Sequence, residues 1–149
     1  MGSVDHPHTA EGALRFQRFS DSVELAASLA SVAVARLHAR RVLHDWHLKA
    51  CPPAAEQVVS ELVANSVTAT EMSGLAAPVR LTLLGGAKNL LVAVWDNAPA
   101  TPVQPVPDPD SESGRGLLLV EAFSSDWSWS LLSPEQGGGK IVRAVIDLP

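Results

Sequence analysis

The sequence predicts an α+β domain in which helices back a mostly antiparallel sheet. Segments with strand and helix character follow in the order strand, helix, helix, strand, strand, loop, helix, strand, strand. This order contains too few alternating βαβ units for a doubly wound parallel sheet. In addition, β-rich runs at 79–84 and 90–96 are separated only by residues 85–89, which is typical of an antiparallel hairpin.

The N-terminal half of the chain predicts one strand followed by two helices. LRFQRF at 14–19 alternates apolar and polar residues, as a half-buried strand does, and residues 32–48 repeat apolar residues at helical spacing. CPPAAEQ opens the second helix, because proline suits a helix start and Glu56 lies where the helix dipole favours negative charge. This helix is expected to run to about Met72, before Gly74.

A long loop follows the hairpin at Asp96 and precedes the last three predicted elements. Its prolines exclude both a helix and a central strand, and loops of this length inside a compact domain tend to be lids or binding loops. GRGLLLVEAF from Gly114 predicts a short helix, SDWSWSLL a strand, and KIVRAVIDL a final strand after the glycine turn at 137–139. The prolines are Pro99, Pro102, Pro105, Pro107 and Pro109.

Composition limits the class of protein and its partners. A chain of 149 residues with 46% hydrophobic content is the size of one domain with a proper core. The formal net charge of −5 argues against nucleic acid as the main partner. The single Cys51 excludes an internal disulfide or a cysteine zinc cluster, and the most apolar run, 25–37, is too short to span a bilayer. We therefore expect a cytoplasmic protein without a membrane partner.

The stretch SELVANS places a carboxylate and an amide on one face of the second helix. Glu61 and Asn65 are four residues apart, about one helical turn, so their side chains lie one above the other. Asn65 offers a neutral oxygen to a hard ion such as Mg²⁺, while Glu61 is suited to accept a proton. The alternative is an ordinary solvated helix face.

Two further motifs point to a nucleotide. Asp96 directly follows an apolar strand, where its carboxylate would accept a hydrogen bond from the amine of an adenine; alternatively it simply caps the turn. Gly114 and Gly116 precede an apolar helix and would let backbone amides approach a phosphate, the alternative being a plain glycine-rich turn. The dinucleotide and P-loop patterns both fail, at Leu119 and Ile141.

In this order and spacing, the motifs resemble those of the histidine-kinase-like ATPases, and among them the small anti-sigma-factor serine/threonine kinases of bacteria. ELVANS is similar to the family's N box, VWDNAPATP to the first glycine box of this subgroup, and SGRGLLLVEAFSSDWSW to the second box with its following strand. RFQRF, VAVARLHARRVLHDWHL and GGGKIVRAVIDL resemble its first strand, first helix and closing strand. The resemblance covers residues 13–149 and leaves 1–12 as a flexible tail.

The resemblance implies the Bergerat fold, a two-layer α/β sandwich with a mixed, mostly antiparallel sheet and ATP held between the helices and a lid. Pro99 to Ser113 would be that lid. Asn65 would hold Mg²⁺, Glu61 would be the general base and Asp96 would anchor adenine. The remaining nucleotide-binding positions would be Ala98, Gly114, Arg115, Gly116 and Leu117.

The implied reaction is transfer of the γ-phosphoryl group of ATP to a serine on an anti-sigma-factor antagonist, with a sigma factor as the competing partner. A homodimer is a further alternative for the assembly. Thr68 and Ala69 stand where this subgroup usually has a basic residue and a histidine, and Lys140 and Ile141 replace a hydroxyl-bearing pair. These departures favour an alternative in which the domain is a non-catalytic nucleotide-binding module, or a protein-interaction module that binds no nucleotide. A metal-dependent hydrolase using His44 and His47 is a third, weaker hypothesis.

Overall fold

The computed structural model describes residues 17–48, 52–99 and 119–148. Two helices and five strands make up most of this part of the chain, and residues 119–123 form a further helical turn. The predicted tail at 1–12, and with it the boundary at residue 13, lies outside the described residues. In chain order the elements are β1 Gln17–Leu25, α1 Ala30–Asp45, α2 Pro52–Met72, β2 Val79–Gly86, β3 Asn89–Asp96, β4 Asp126–Leu131 and β5 Lys140–Asp147, with a 3₁₀ turn at Pro134–Gln136.

The five strands form one sheet in the order β1-β2-β3-β5-β4. Every pairing among the described strands is antiparallel, including the predicted hairpin, in which Leu83 lies opposite Val92. The two helices pack against each other, and α2 lies against β3, the central strand. The predicted α+β sandwich with a helical layer on the sheet is confirmed.

The core lies between the helices and the sheet. Along β3, Leu90, Val92 and Val94 are fully buried in the main apolar cluster, and the pleat places Asp96 on the same helix-facing side. Leu91 and Val145 belong to a smaller cluster on the opposite face. The buried apolar side chains of α2 are Ala55, Val58, Val59, Leu62, Val63 and Val67.

Both helices end in a left-handed residue whose neighbours satisfy the last carbonyls. After α2, Gly74 has φ +70°, and the N–H groups of Gly74 and Leu75 donate to Glu71 and Thr70 in a Schellman motif. After α1, His47 has φ +60° and fills the same position. The HDWH motif is therefore a helix end, and the described ranges contain no group of three or more histidine, cysteine, aspartate or glutamate side chains that could hold a metal ion.

The first strand is where the sequence prediction is least accurate. β1 continues through Ser20, Asp21 and Ser22 to Leu25, well past the predicted end at residue 19. These polar residues are rare in strands, but they lie in an edge strand where side chains remain accessible. A hydrogen bond between the Ser22 and Thr82 hydroxyls, 3.1 Å long, joins β1 to β2. No helix in the described part of the chain is both long and apolar enough to cross a membrane.

Candidate nucleotide site

The candidate site lies where α2 packs against one end of the sheet, at which β3 ends and β5 begins. Only residues 73–78 connect α2 to β2, whose Arg80 is opposite Trp95 of β3. This short connection brings the C-terminal part of α2 towards the end of the sheet that carries Asp96. The two motifs predicted from the sequence, on α2 and after β3, therefore belong to elements in direct packing contact.

Glu61 is a partly buried carboxyl on α2. Gln57, one turn earlier, donates from its Nε2 to Glu61 Oε1 at 2.9 Å. Burial raises the pKa of Glu61 above its ordinary value of 4.5, and the hydrogen bond from Gln57 opposes this only in part. A carboxylate with a raised pKa holds a proton more readily, which suits a general base.

Asn65, one turn after Glu61, carries a buried amide oxygen without a hydrogen-bond partner in the described structure. An unmet buried acceptor is unfavourable, and native proteins rarely leave one without a reason. Within the described ranges the hydroxyls of Ser60 and Ser66 also have no partner, but Asn65 is the one that lies a full helical turn after the carboxyl whose pKa is raised. An amide oxygen is a ligand that Mg²⁺ accepts, so the residues present are compatible with that ion.

Asp96 is fully buried, and both of its carboxylate oxygens have protein donors. Its Oδ1 accepts the backbone N–H of Ala98 at 3.0 Å, and its Oδ2 lies 2.6 Å from the Nζ of Lys140. The ion pair with Lys140 is 0% exposed on both sides. Asp96 thus caps the turn after its strand, which is the alternative role that the sequence left open, and Ala98 is its donor.

The glycine turn before β5 fixes Lys140 against Asp96. Gly139 has φ +75°, and a Cβ there would lie 2.1 Å from the backbone oxygen of Asp96, so a side chain cannot be accommodated. The indole of Trp95 donates to the carbonyl of Gly138 at 3.0 Å. Lys140 then pairs with Asp96 in the β3–β5 register.

The remaining predicted site residues lie outside the described ranges. These are Gly114, Arg115, Gly116 and Leu117, together with the lid beyond Pro99. Ala98 is described and is fully buried.

A family model of the histidine kinase-like ATPase domain matches residues 25–146, most of the chain. The chain belongs to this family. The ATPase domain is also similar in fold to a chain in the crystal structure of the SiaB–SiaC complex from Pseudomonas aeruginosa. That match has a TM-score of 0.66 at 16% identity and covers 96% of this chain and 99% of the other. No curated protein matches the sequence of this chain.

The family match confirms the resemblance to the histidine-kinase-like ATPases that the sequence motifs predict. It also implies that ATP is the nucleotide of the domain, because the family is one of ATPases.

The raised pKa of Glu61 gives the ATPase domain a specific dependence of stability on pH. Because the folded state holds this proton more tightly than the unfolded state, the Glu61 contribution to stability is greatest below its ordinary pKa of 4.5 and declines as the pH rises through the folded value. We expect Glu61→Gln to gain stability relative to the wild type as the pH rises above 4.5. The gain should be less than about 1 kcal/mol, since the group is only partly buried. Urea unfolding from pH 4 to pH 8 measures it; a gain that grows towards acid would contradict the assignment.

Proposed function

We propose that this domain binds ATP with Mg²⁺ and transfers the γ-phosphoryl group to a serine of a partner protein, as anti-sigma-factor kinases do. The partner would be an anti-sigma-factor antagonist, and a sigma factor would compete for the same domain. The observation that carries the proposal is the pair on α2: a carboxyl with a raised pKa and, one turn later, a buried amide oxygen without a partner.

Each residue of this pair has a distinct role in the proposed reaction. Asn65 would hold the Mg²⁺ ion, which neutralises phosphate charge when it is bound. Glu61 would accept the proton of the attacking serine hydroxyl as the serine oxygen bonds to the γ-phosphorus and the bond from that phosphorus to the β,γ-bridging oxygen breaks, releasing ADP. Since phosphoryl transfer depends mostly on positioning and charge neutralisation, a single well-placed base beside the metal ligand is a sufficient contribution from α2.

A protein substrate is consistent with the comparisons. The chain matched in fold belongs to a solved complex of two proteins. The N-box resemblance, ELVANS, is to kinases that act on a protein partner rather than on a small molecule. These points support a partner-regulating domain; the proposal places it in the cytoplasm, where a sigma factor would be available.

The test is phosphorylation of candidate antagonist proteins with γ-labelled ATP. The purified full chain is incubated with each antagonist and Mg²⁺, and the product is analysed for phosphoserine. We expect label on serine that disappears when EDTA replaces Mg²⁺. An ATP-bound chain that labels no antagonist at any Mg²⁺ concentration would overturn the kinase assignment.

A second function, a non-catalytic module that binds its partner without phosphorylating it, is favoured by the charge of α2. Pro52–Met72 contains no lysine, arginine or histidine, and Thr68 is exposed where the related kinases carry a basic residue. Without that charge, neutralisation of the γ-phosphate falls to Mg²⁺, backbone amides or Arg115. Partner binding that is unchanged by ATP and by Glu61→Gln would support the module over the kinase.

A further inference from the structure

Lys140 holds the carboxylate that a nucleobase amine would need. Asp96 is the last residue of β3 and Lys140 is the first of β5, and the two are opposite each other in the register. Their side chains meet on the helix-facing side, with Nζ 2.6 Å from Oδ2 and neither group exposed. Among the described residues, the other carboxylate oxygen accepts the backbone N–H of Ala98.

A neutral amine cannot readily displace an ammonium group from this position. The ammonium is attracted to the carboxylate by its opposite charge as well as by the hydrogen bond, whereas a neutral amine offers the hydrogen bond alone. Moving the lysine away would also leave a buried charge without its partner, which is strongly unfavourable. The backbone allows little movement, because Gly139 lies against the backbone of Asp96 and Gly138 accepts a hydrogen bond from Trp95.

We propose that Lys140 is an internal competitor for the base-recognition carboxylate, so that the domain binds ATP without a strong contact to the adenine amine. Nucleotide binding then depends on the phosphates and the metal, and it discriminates weakly between purine bases. This inference rests on the proposed nucleotide binding and assigns Lys140 as the residue that determines base specificity. It predicts that the affinity for ATP depends on the adenine amino group once the lysine is removed.

The wild-type chain provides the first measurement, which needs no substitution. Calorimetric titration with Mg²⁺ compares ATP with purine riboside triphosphate, which lacks the amino group of adenine. We expect the two dissociation constants to differ by less than about threefold, since a hydrogen bond to a free carboxylate would be worth at least about tenfold. A preference of tenfold or more for ATP would overturn the proposal while leaving ATP binding established.

The second measurement uses Lys140→Thr, with Lys88→Thr as the matched control on the exposed hairpin turn. Lys140→Thr should bind ATP at least about tenfold more tightly and should leave purine riboside triphosphate unchanged. Lys88→Thr should change neither constant. The gain in ATP affinity should vanish when Asp96→Asn is combined with Lys140→Thr.

A folded Lys140→Thr variant with unchanged ATP affinity would overturn the proposal. If the variant does not fold, the wild-type comparison of the two nucleotides decides. Absence of binding by both nucleotides in the wild type and the variant would overturn this inference and the proposed function together.

Discussion

Asp96→Asn is expected to lose about 3–5 kcal/mol of the free energy of unfolding, a large fraction of the stability of a domain of this size. The substitution preserves shape and removes only the negative charge. The Lys140 ammonium, which is 0% exposed, would then be buried without a counterion. Denaturant unfolding followed by circular dichroism at pH 7 measures the loss.

An exposed ion pair of the same length provides the matched control. Arg80 and Glu24 lie 2.7 Å apart, but their side chains are 50% and 57% exposed. Glu24→Gln should therefore cost less than about 1 kcal/mol. Adding Lys140→Met to Asp96→Asn should recover most of the lost stability, because both buried charges are then absent. A small loss in Asp96→Asn, equal to that in Glu24→Gln, would show that burial does not dominate this pair.

This stability effect alters how nucleotide-binding experiments on the domain are interpreted. An Asp96 variant that fails to bind ATP would ordinarily be taken as evidence for an adenine contact. Here the same result follows from a weakened fold, because Asp96 holds Lys140 and the turn after β3. Substitution of Lys140 separates the two causes, since only a base contact would make the variant bind ATP more tightly than purine riboside triphosphate.

The elements with strong local signals could be predicted from the sequence. α2 begins at Pro52 and ends at Met72 as expected, because prolines mark its start and Gly74 supplies the left-handed residue after it. The β2–β3 hairpin could be predicted because both strands are apolar and only a short turn separates them in the chain. The extension of β1 to Leu25 was missed, since its strand state depends on pairing with β2 rather than on the propensities of Ser20 to Ser22.

From the sequence, the proximity of candidate site residues could be predicted only where they are neighbours on one element. Helical spacing alone placed Glu61 and Asn65 on one face of α2. The contact of Asp96 with Lys140 joins residues 44 apart in sequence and depends on the β3–β5 register, for which the sequence carries no local signal. A usable clue was the lysine itself, a charged residue at the start of a strand in which Val142, Ala144 and Ile146 of the same face are buried.

Glu61→Gln is expected to reduce phosphoryl transfer at least about 100-fold while leaving ATP affinity nearly unchanged. Glutamine keeps the size and hydrogen-bonding capacity of the side chain but cannot take a proton from the serine hydroxyl. Single-turnover transfer from γ-labelled ATP to the antagonist measures the rate. In the wild type the rate should rise with pH through the pKa of Glu61, which burial places above 4.5, and the variant should lose that rise.

Glu71→Gln is the matched control, because Glu71 is an exposed carboxylate in the last turn of the same helix. Its rate and its pH profile should equal those of the wild type. The combination of an unchanged ATP affinity, a lost rate and a lost pH dependence is specific to a base, since a structural role for Glu61 would also change ATP binding. A Glu61→Gln enzyme that transfers phosphate at the wild-type rate would show that the hydroxyl loses its proton elsewhere. The partly buried carboxyl of α2 would then be only a neighbour of Asn65, the proposed metal ligand.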